Sequence, residues 1–227
     1  MVTVLPVTII AMTALTIISV QYGSKNINSA ISAQMEAELQ VQGNKVTNYF
    51  TKIIDIANTL ASTVNSSYQQ VNLDSFETEL VDIVTQNDAL IGSGIWFESG
   101  YFTNGIEKIE ANATVSTAEQ GMADSEEESS EEETIYYVGP YAIRDNGKIQ
   151  ITYKYSTADN SYFKQKFYMM AKEVKSTILT EPMYDITARS FKVTAIVPMF
   201  TDNVFIGCVT VDVSLDNIKA VSYTHLT

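Results

Sequence analysis

Four short patterns follow one another near the end of the chain: YFKQKFY (162–168), EPMYD (181–185), VTAIVPMF (193–200) and GCVTVDVSLD (207–216). The first has helical character, because Phe163, Phe167, Met170 and Val174 recur along one side of 161–175. The others read as strands at about 177–183, 191–200 and 204–213, the last two joined through Asp202-Asn203. Two of these strands end in or carry a lone aspartate, Asp185 and Asp212. A helix with an aromatic end followed by three such strands describes a small sheet wrapped around a pocket. A pocket outside a membrane points to sensing.

Working outward, Asn146-Gly147 is a hairpin signal between strand-like runs at 135–143 and 149–155. In the second run Ile149, Ile151, Tyr153 and Tyr155 alternate with Gln150, Thr152 and Lys154, as a half-buried strand requires. LIGSGIWFE (90–98) reads as a further strand with an aromatic end. Before it, Asp74-Ser-Phe-Glu77 resembles a capping box that opens a helix with Phe76, Leu80, Ile83 and Val84 on its inner face. Another helix starts at 214–221. Apolar residues at Ile27, Ile31, Met35, Leu39, Val46, Phe50, Ile53, Ala57, Leu60 and Val64 describe a long amphipathic helix ending near Asn65, mildly interrupted at Gly43. The fold class is α+β: a long N-terminal helix, a short helix, and about six mainly antiparallel strands. No βαβ alternation or glycine-rich phosphate loop is present, which argues against a nucleotide-binding α/β fold.

The first 24 residues carry no charge and include the apolar run 7–20. About 20 apolar residues cross a bilayer core, so 1–24 is expected to be a transmembrane helix. A signal peptide is the competing reading, disfavoured by the lack of a basic segment ahead of the run. The net charge of −13 argues against nucleic-acid partners, which need a basic face. Seven of the negatives lie between Asp124 and Glu133, within a polar stretch, 101–134, that reads as a solvated loop. No ligand spacing or turn glycine in that acidic run supports calcium. Cys208 is the only cysteine, so no intrachain disulfide forms, and its apolar run predicts burial. His225 is the only histidine, which leaves no zinc site and no Cys/His nucleophile. Neither a metal nor a cofactor is indicated. Paired carboxylates suggest acid–base chemistry, but no nucleophile or metal constellation accompanies them, so the chain is not read as an enzyme.

Taken in order, GSGIWFE (92–98), YVGPYAI (137–143), YFKQKFY, EPMYD and GCVTVDVSLD resemble a double Cache sensor domain over roughly residues 27–220. Such domains are the extracytoplasmic ligand-binding regions of bacterial chemoreceptors and sensor kinases. The resemblance implies a PAS-like antiparallel sheet, here the membrane-distal module, occupying 67–220 behind an amphipathic helix at 25–66. It also implies a membrane-proximal module, a second transmembrane helix and a cytoplasmic output beyond residue 227. The final VSYTHLT (221–227) fits no expected continuation and reads as a foreign tail. The expected function is small-molecule sensing by a receptor of the methyl-accepting chemotaxis type, anchored in the cell membrane and homodimeric. Ligand in the distal pocket would shift packing against the long helix, which requires different affinities for two states. The alternatives are the input of a histidine kinase or cyclic-dinucleotide enzyme, or a membrane-anchored structural protein with a vestigial pocket.

Members that bind amino acids carry a Tyr, an Arg and an aromatic pair on the helix, then a Tyr and an Asp on later strands. Carried over, the aromatic pair falls on Phe167 and Tyr168 and the closing acid on Asp212, while the arginine position holds Gln165, the first tyrosine Asn160 and the strand tyrosine Met183. Arginine would grip a ligand carboxylate bidentately, whereas glutamine offers only neutral hydrogen bonds. Ordinary α-amino acids are therefore expected to bind weakly. A pocket holding Asp212 and Asp185, walled by Trp96, Tyr141, Phe167 and Tyr168, suits an amine or a neutral polar ligand, since aromatic faces favour cations. The bland reading assigns Asp212 to turn backbone, Asp185 to a hairpin cap and the aromatics to ordinary core.

Overall fold

The computed structural model describes residues 4–104, 135–186 and 189–216. The acidic run, most of the helix expected at 214–221 and the tail at 221–227 lie outside the described residues. The chain divides into two units, 1–48 and 49–227. Helix α1 (Val4–Ser67) is unbroken, so the glycine at position 43, whose side-chain position meets open space, does not interrupt it. Within the first unit Ile31, Met35, Leu39 and Val46 are exposed. Most side chains of the expected transmembrane segment lie outside the described residues. Among the described residues, no helix is long and apolar enough to cross a membrane.

In the second unit the stripe that begins at Ile53 is buried. Ile53, Ala57, Leu60, Ala61 and Val64 share one core with Leu73, Phe76, Leu80 and Val84 of α2 (Leu73–Gln86). The cap of α2 corrects the expected capping box. Asn72, not Asp74, is the N-cap, and its side chain accepts from the Ser75 amide at 3.1 Å. Asp74 falls in the first turn, where a negative charge favours the helix dipole. Glu77 accepts from the Tyr153 hydroxyl instead of reaching back to the cap.

Strands β1 (Leu90–Phe97), β2 (Tyr141–Asp145), β3 (Lys148–Thr152), β4 (Ile178–Leu179), β5 (Met183–Asp185), β6 (Ser190–Thr201) and β7 (Val204–Ser214) form one antiparallel sheet. Its order is β3-β2-β1-β7-β6-β4, with β5 also on β6. Both two-residue turns are hairpins of the expected kind. Asn146 and Gly147 have φ of 49° and 77°, and Asp202 and Asn203 have φ of 51° and 65°. Positive φ at both central residues matches the twist of the flanking strands.

Four expected elements are shorter than their sequence patterns. The run 149–155 pairs as a strand only through Thr152, and beyond it Tyr153 and Tyr155 pack into different clusters. The run 135–143 forms a strand only from Tyr141, because Pro140 has no N–H to give to a ladder; its carbonyl still accepts from the Ile95 amide. The strand expected at 177–183 is split at Pro182 into β4 and β5 for the same reason. The helix expected at 161–175 breaks at Gln165, which is extended (φ −79°, ψ 141°). A 3₁₀ turn, Tyr162–Lys164, precedes it and α3 (Lys166–Glu173) follows.

The sheet has two differently furnished faces. One packs on α1 and α2 through Ile95, Phe97, Val193, Ala195, Val197, Val209, Val211 and Val213. The other carries Trp96, Tyr141, Ile143, Ile196 and Cys208 and meets the segment from Tyr155 to Ala171. Cys208 is buried there, as its apolar run predicts.

Candidate functional site

The second face is built on two glycines of β1. In the register of the sheet, Gly92 lies opposite Asp212 of β7 on one side and Ile143 of β2 on the other, and Gly94 lies opposite Thr210 and Tyr141. A Cβ on Gly92 would come within 2.2 Å of the Tyr141 hydroxyl, and one on Gly94 within 2.6 Å of the Trp96 ring. Bare backbone at these two places lets both rings lie down over the strand. Trp96 is fixed by its Nε1–H, which donates to Thr210 Oγ1 at 2.9 Å. It stacks on Tyr141 with ring centroids 5.8 Å apart and meets Phe167 of α3 at 5.1 Å.

Tyr141 reaches across to β7 and donates from its hydroxyl to Asp212 Oδ2 at 2.6 Å. Burial, reinforced by the charge of Asp212, raises the Tyr141 pKa well above the tyrosine range, so the phenol remains a donor. Thr194 of β6, directly opposite Asp212, donates to Oδ1. Lys192, two residues earlier on the same face of β6, places its Nζ 2.9 Å from Asp212 Oδ2 and 3.0 Å from Asp185 Oδ2. Burial opposes the lysine charge, but Asp212 and Asp185 outweigh it and hold the pKa above the ordinary lysine value. Two carboxylates, Asp185 and Asp212, share this one ammonium. Asp212 accepts from three side chains, Tyr141, Thr194 and Lys192.

The expected residues are not all brought to one place. Trp96, Tyr141 and Phe167 lie in ring contact, and Asp212 and Asp185 meet through Lys192. Met183 pairs with Lys192 in the register of β5 and β6, and is 49% exposed. Gln165 is half-buried at the start of α3, with no side-chain bond to the helix end. Tyr168 is buried in the same aromatic cluster as Trp96 and Tyr141, in ring contact with Phe167 at 6.5 Å; its hydroxyl donates to Glu98 Oε2 at 3.0 Å, where Lys172 also pairs at 3.0 Å, and its ring packs on Tyr162 and Phe205. Sequence reasoning missed Lys192, Thr194 and Thr210. Period-2 alternation would have put Lys192 and Thr194 on one face and Thr210 beside Asp212 on β7, but nothing local says that β6 and β1 flank β7. Among the described residues no cluster of His, Cys, Asp and Glu is arranged to hold a metal ion.

The same architecture occurs in solved sensor domains. The extracellular domain of the putative histidine kinase mmHK1S-Z2 superposes with a TM-score of 0.59 at 23% identity, over 81% of this chain and 60% of that one. A structure described as methyl-accepting chemotaxis protein X gives 0.60 at 16% identity, over 86% and 66%. The ligand-binding domain of the Campylobacter jejuni chemoreceptor Tlp3, solved in complex with L-valine, gives 0.54 at 10% identity, over 83% and 61%. At these identities the likeness establishes the fold. The chain spans between 56% and 66% of the length of these structures and of a further mmHK1S relative. No curated protein sequence matches it significantly. The family described as methyl-accepting chemotaxis protein-like, first PDC sensor domain, matches residues 76–220. That match takes in the whole sheet with its aromatic and acidic face, and the chain belongs to this family of sensor domains.

Proposed function

We propose that the face carrying Trp96, Tyr141, Phe167, Asp185 and Asp212 is the ligand-binding surface of a membrane receptor's extracytoplasmic sensor, and that its ligand is an amine or a neutral polar molecule. One observation carries this reading. Residues from β1, β2, β5, β7 and α3 converge on the sheet face opposite α1, with aromatic rings beside a buried carboxylate. Core packing alone has no use for an acid that is 6% exposed on its side chain. The carboxylates of Asp185 and Asp212 disfavour a ligand carboxylate nearby, and Gln165 offers it only neutral hydrogen bonds where an arginine would pair with it. Ordinary α-amino acids should therefore bind poorly, in contrast to the valine-bound chemoreceptor domain. Gln165, Tyr168 and Met183 belong to the rim and second layer of this surface. The anchor in 1–24, a homodimer along α1 and a chemotaxis output beyond the chain complete the proposal. The extracellular kinase domains among the structural neighbours favour a histidine kinase as the second reading of the output.

Trp96 is the only tryptophan, so its emission reports on this face alone. Fluorescence titration with amines, neutral polar compounds and α-amino acids should give a saturable response to one of the first two classes, abolished by Asp212→Ala. Tight binding of an α-amino acid that survives Asp212→Ala would refute the assignment.

A further inference from the structure

Lys192 is a cation that the protein itself supplies to the acidic end of the site. Its ammonium bridges Asp212 and Asp185 at 2.9 and 3.0 Å, and its side chain retains 16% exposure. Of the three donors to Asp212, two are hydroxyls held by short side chains on the sheet, Tyr141 and Thr194. The third sits at the end of a flexible four-carbon stem. If one donor is to leave, it is Lys192. The direct partner of Lys192 across the β5–β6 pair, Met183, is half exposed, so the stem has an open side toward which to swing.

We propose that Lys192 is a tethered stand-in for the ligand, and that the site takes an organic monocation bearing a primary ammonium in exchange for it. The inference rests on reading this face as the binding surface. Charge decides the class. With Lys192 retained by Asp185 alone, Asp212 is left with one uncompensated negative charge, which one ligand ammonium neutralises. An anion meets repulsion. A quaternary ammonium brings charge without an N–H, and leaves the Lys192 acceptor position on Asp212 Oδ2 without its donor. Trp96 and Tyr141, stacked beside that carboxylate, supply the aromatic surface that favours an alkylammonium. Because Lys192 competes for the same position, it weakens binding and sets which amines succeed.

The test uses the whole chain, n-butylammonium chloride as probe and Trp96 emission as readout. Wild type should bind it weakly and saturably. Lys192→Met should bind it at least about tenfold more tightly, since a partly buried charge-assisted competitor is gone. Tetramethylammonium should bind neither. Should Lys192→Met lack native circular dichroism, the double variant Asp185→Asn/Lys192→Met, which keeps the same net charge at the site, should show the same gain. Equal or weaker butylammonium binding in the folded variants than in wild type overturns the exchange and leaves the binding surface intact. Absence of a saturable response in wild type and variants alike overturns the ammonium assignment. The neutral and amino-acid titrations above then tell whether the surface binds anything.

Discussion

Gly92→Ala tests the geometry of the site most directly. The new methyl carbon would lie 2.2 Å from the Tyr141 hydroxyl oxygen, 2.5 Å from its Cζ and 2.9 Å from the carbonyl oxygen of Ala142. Ordinary contact begins at about 3.5 Å, so the phenol must retreat by roughly 1.3 Å. The Ala142 carbonyl belongs to the strand paired with Gly92 and cannot move independently. A retreat of that size breaks the 2.6 Å bond to Asp212. Overpacking costs about 1–3 kcal/mol, and a buried hydrogen bond to a charged group adds about 1.5–3 kcal/mol. The expected loss is therefore about 4 kcal/mol, a large share of the stability of a domain this size. Urea unfolding followed by circular dichroism and Trp96 emission measures it. Tyr141→Phe should lose only the hydrogen-bond share, about 2 kcal/mol. In a Tyr141→Ala background the Gly92→Ala penalty should shrink by at least about 1.5 kcal/mol, because the two positions are in contact. A Gly92→Ala protein within about 0.5 kcal/mol of wild type, or one equally destabilised in both backgrounds, would show that the glycine is not there to seat the ring.

Two further outcomes follow from the scaffold. Asn72→Ala should lower stability by about 1 kcal/mol through loss of the α2 cap, and Asn72→Asp should restore it; an alanine variant that unfolds at the wild-type urea midpoint refutes the assignment. At high pH the domain should weaken through Tyr49, whose pKa burial raises to about 12 and whose hydroxyl donates to the Ser214 carbonyl. The unfolded chain gives up that proton near pH 10, so the contribution is complete below pH 10 and is lost as pH climbs toward 12. Urea midpoints measured from pH 9 to 11.5 should therefore fall more steeply for wild type than for Tyr49→Phe; parallel curves would contradict it.

Local chemistry made much of this fold legible. Asn146-Gly147 and Asp202-Asn203 announce their turns because few residues tolerate positive φ twice in succession. The alternation through Val209, Val211 and Val213 announces a strand with one apolar face. What could not be read is what depends on neighbours remote in sequence. Asp212 owes its setting to Tyr141, 71 residues away, and to the insertion of β7 between β1 and β6. Nothing local to Lys192 marks it as a partner of Asp185 and Asp212, because the three are assembled only by the register of three strands. Pro140 and Pro182 shortened elements whose side chains still looked strand-like, and Gln165 split a helix that periodicity alone would have carried through. Gln165 and Met183 are candidates only through the family resemblance; Gln165 is half-buried ahead of α3 and Met183 is half exposed on β5.

The carboxylate of Asp212 is served by its own chain, and no buried polar side-chain atom among the described residues lacks a partner. An acid balanced in this way has a finished resting arrangement. If the proposed exchange occurs, capture trades one set of satisfied bonds for another, and the two arrangements can lie close in free energy. A ligand at a hundred times its dissociation constant contributes about 2.7 kcal/mol, and between nearly matched arrangements that is enough to reverse which one prevails. On the proposed reading, self-sufficiency at the acid would let a modest concentration of a small molecule act as a decisive input.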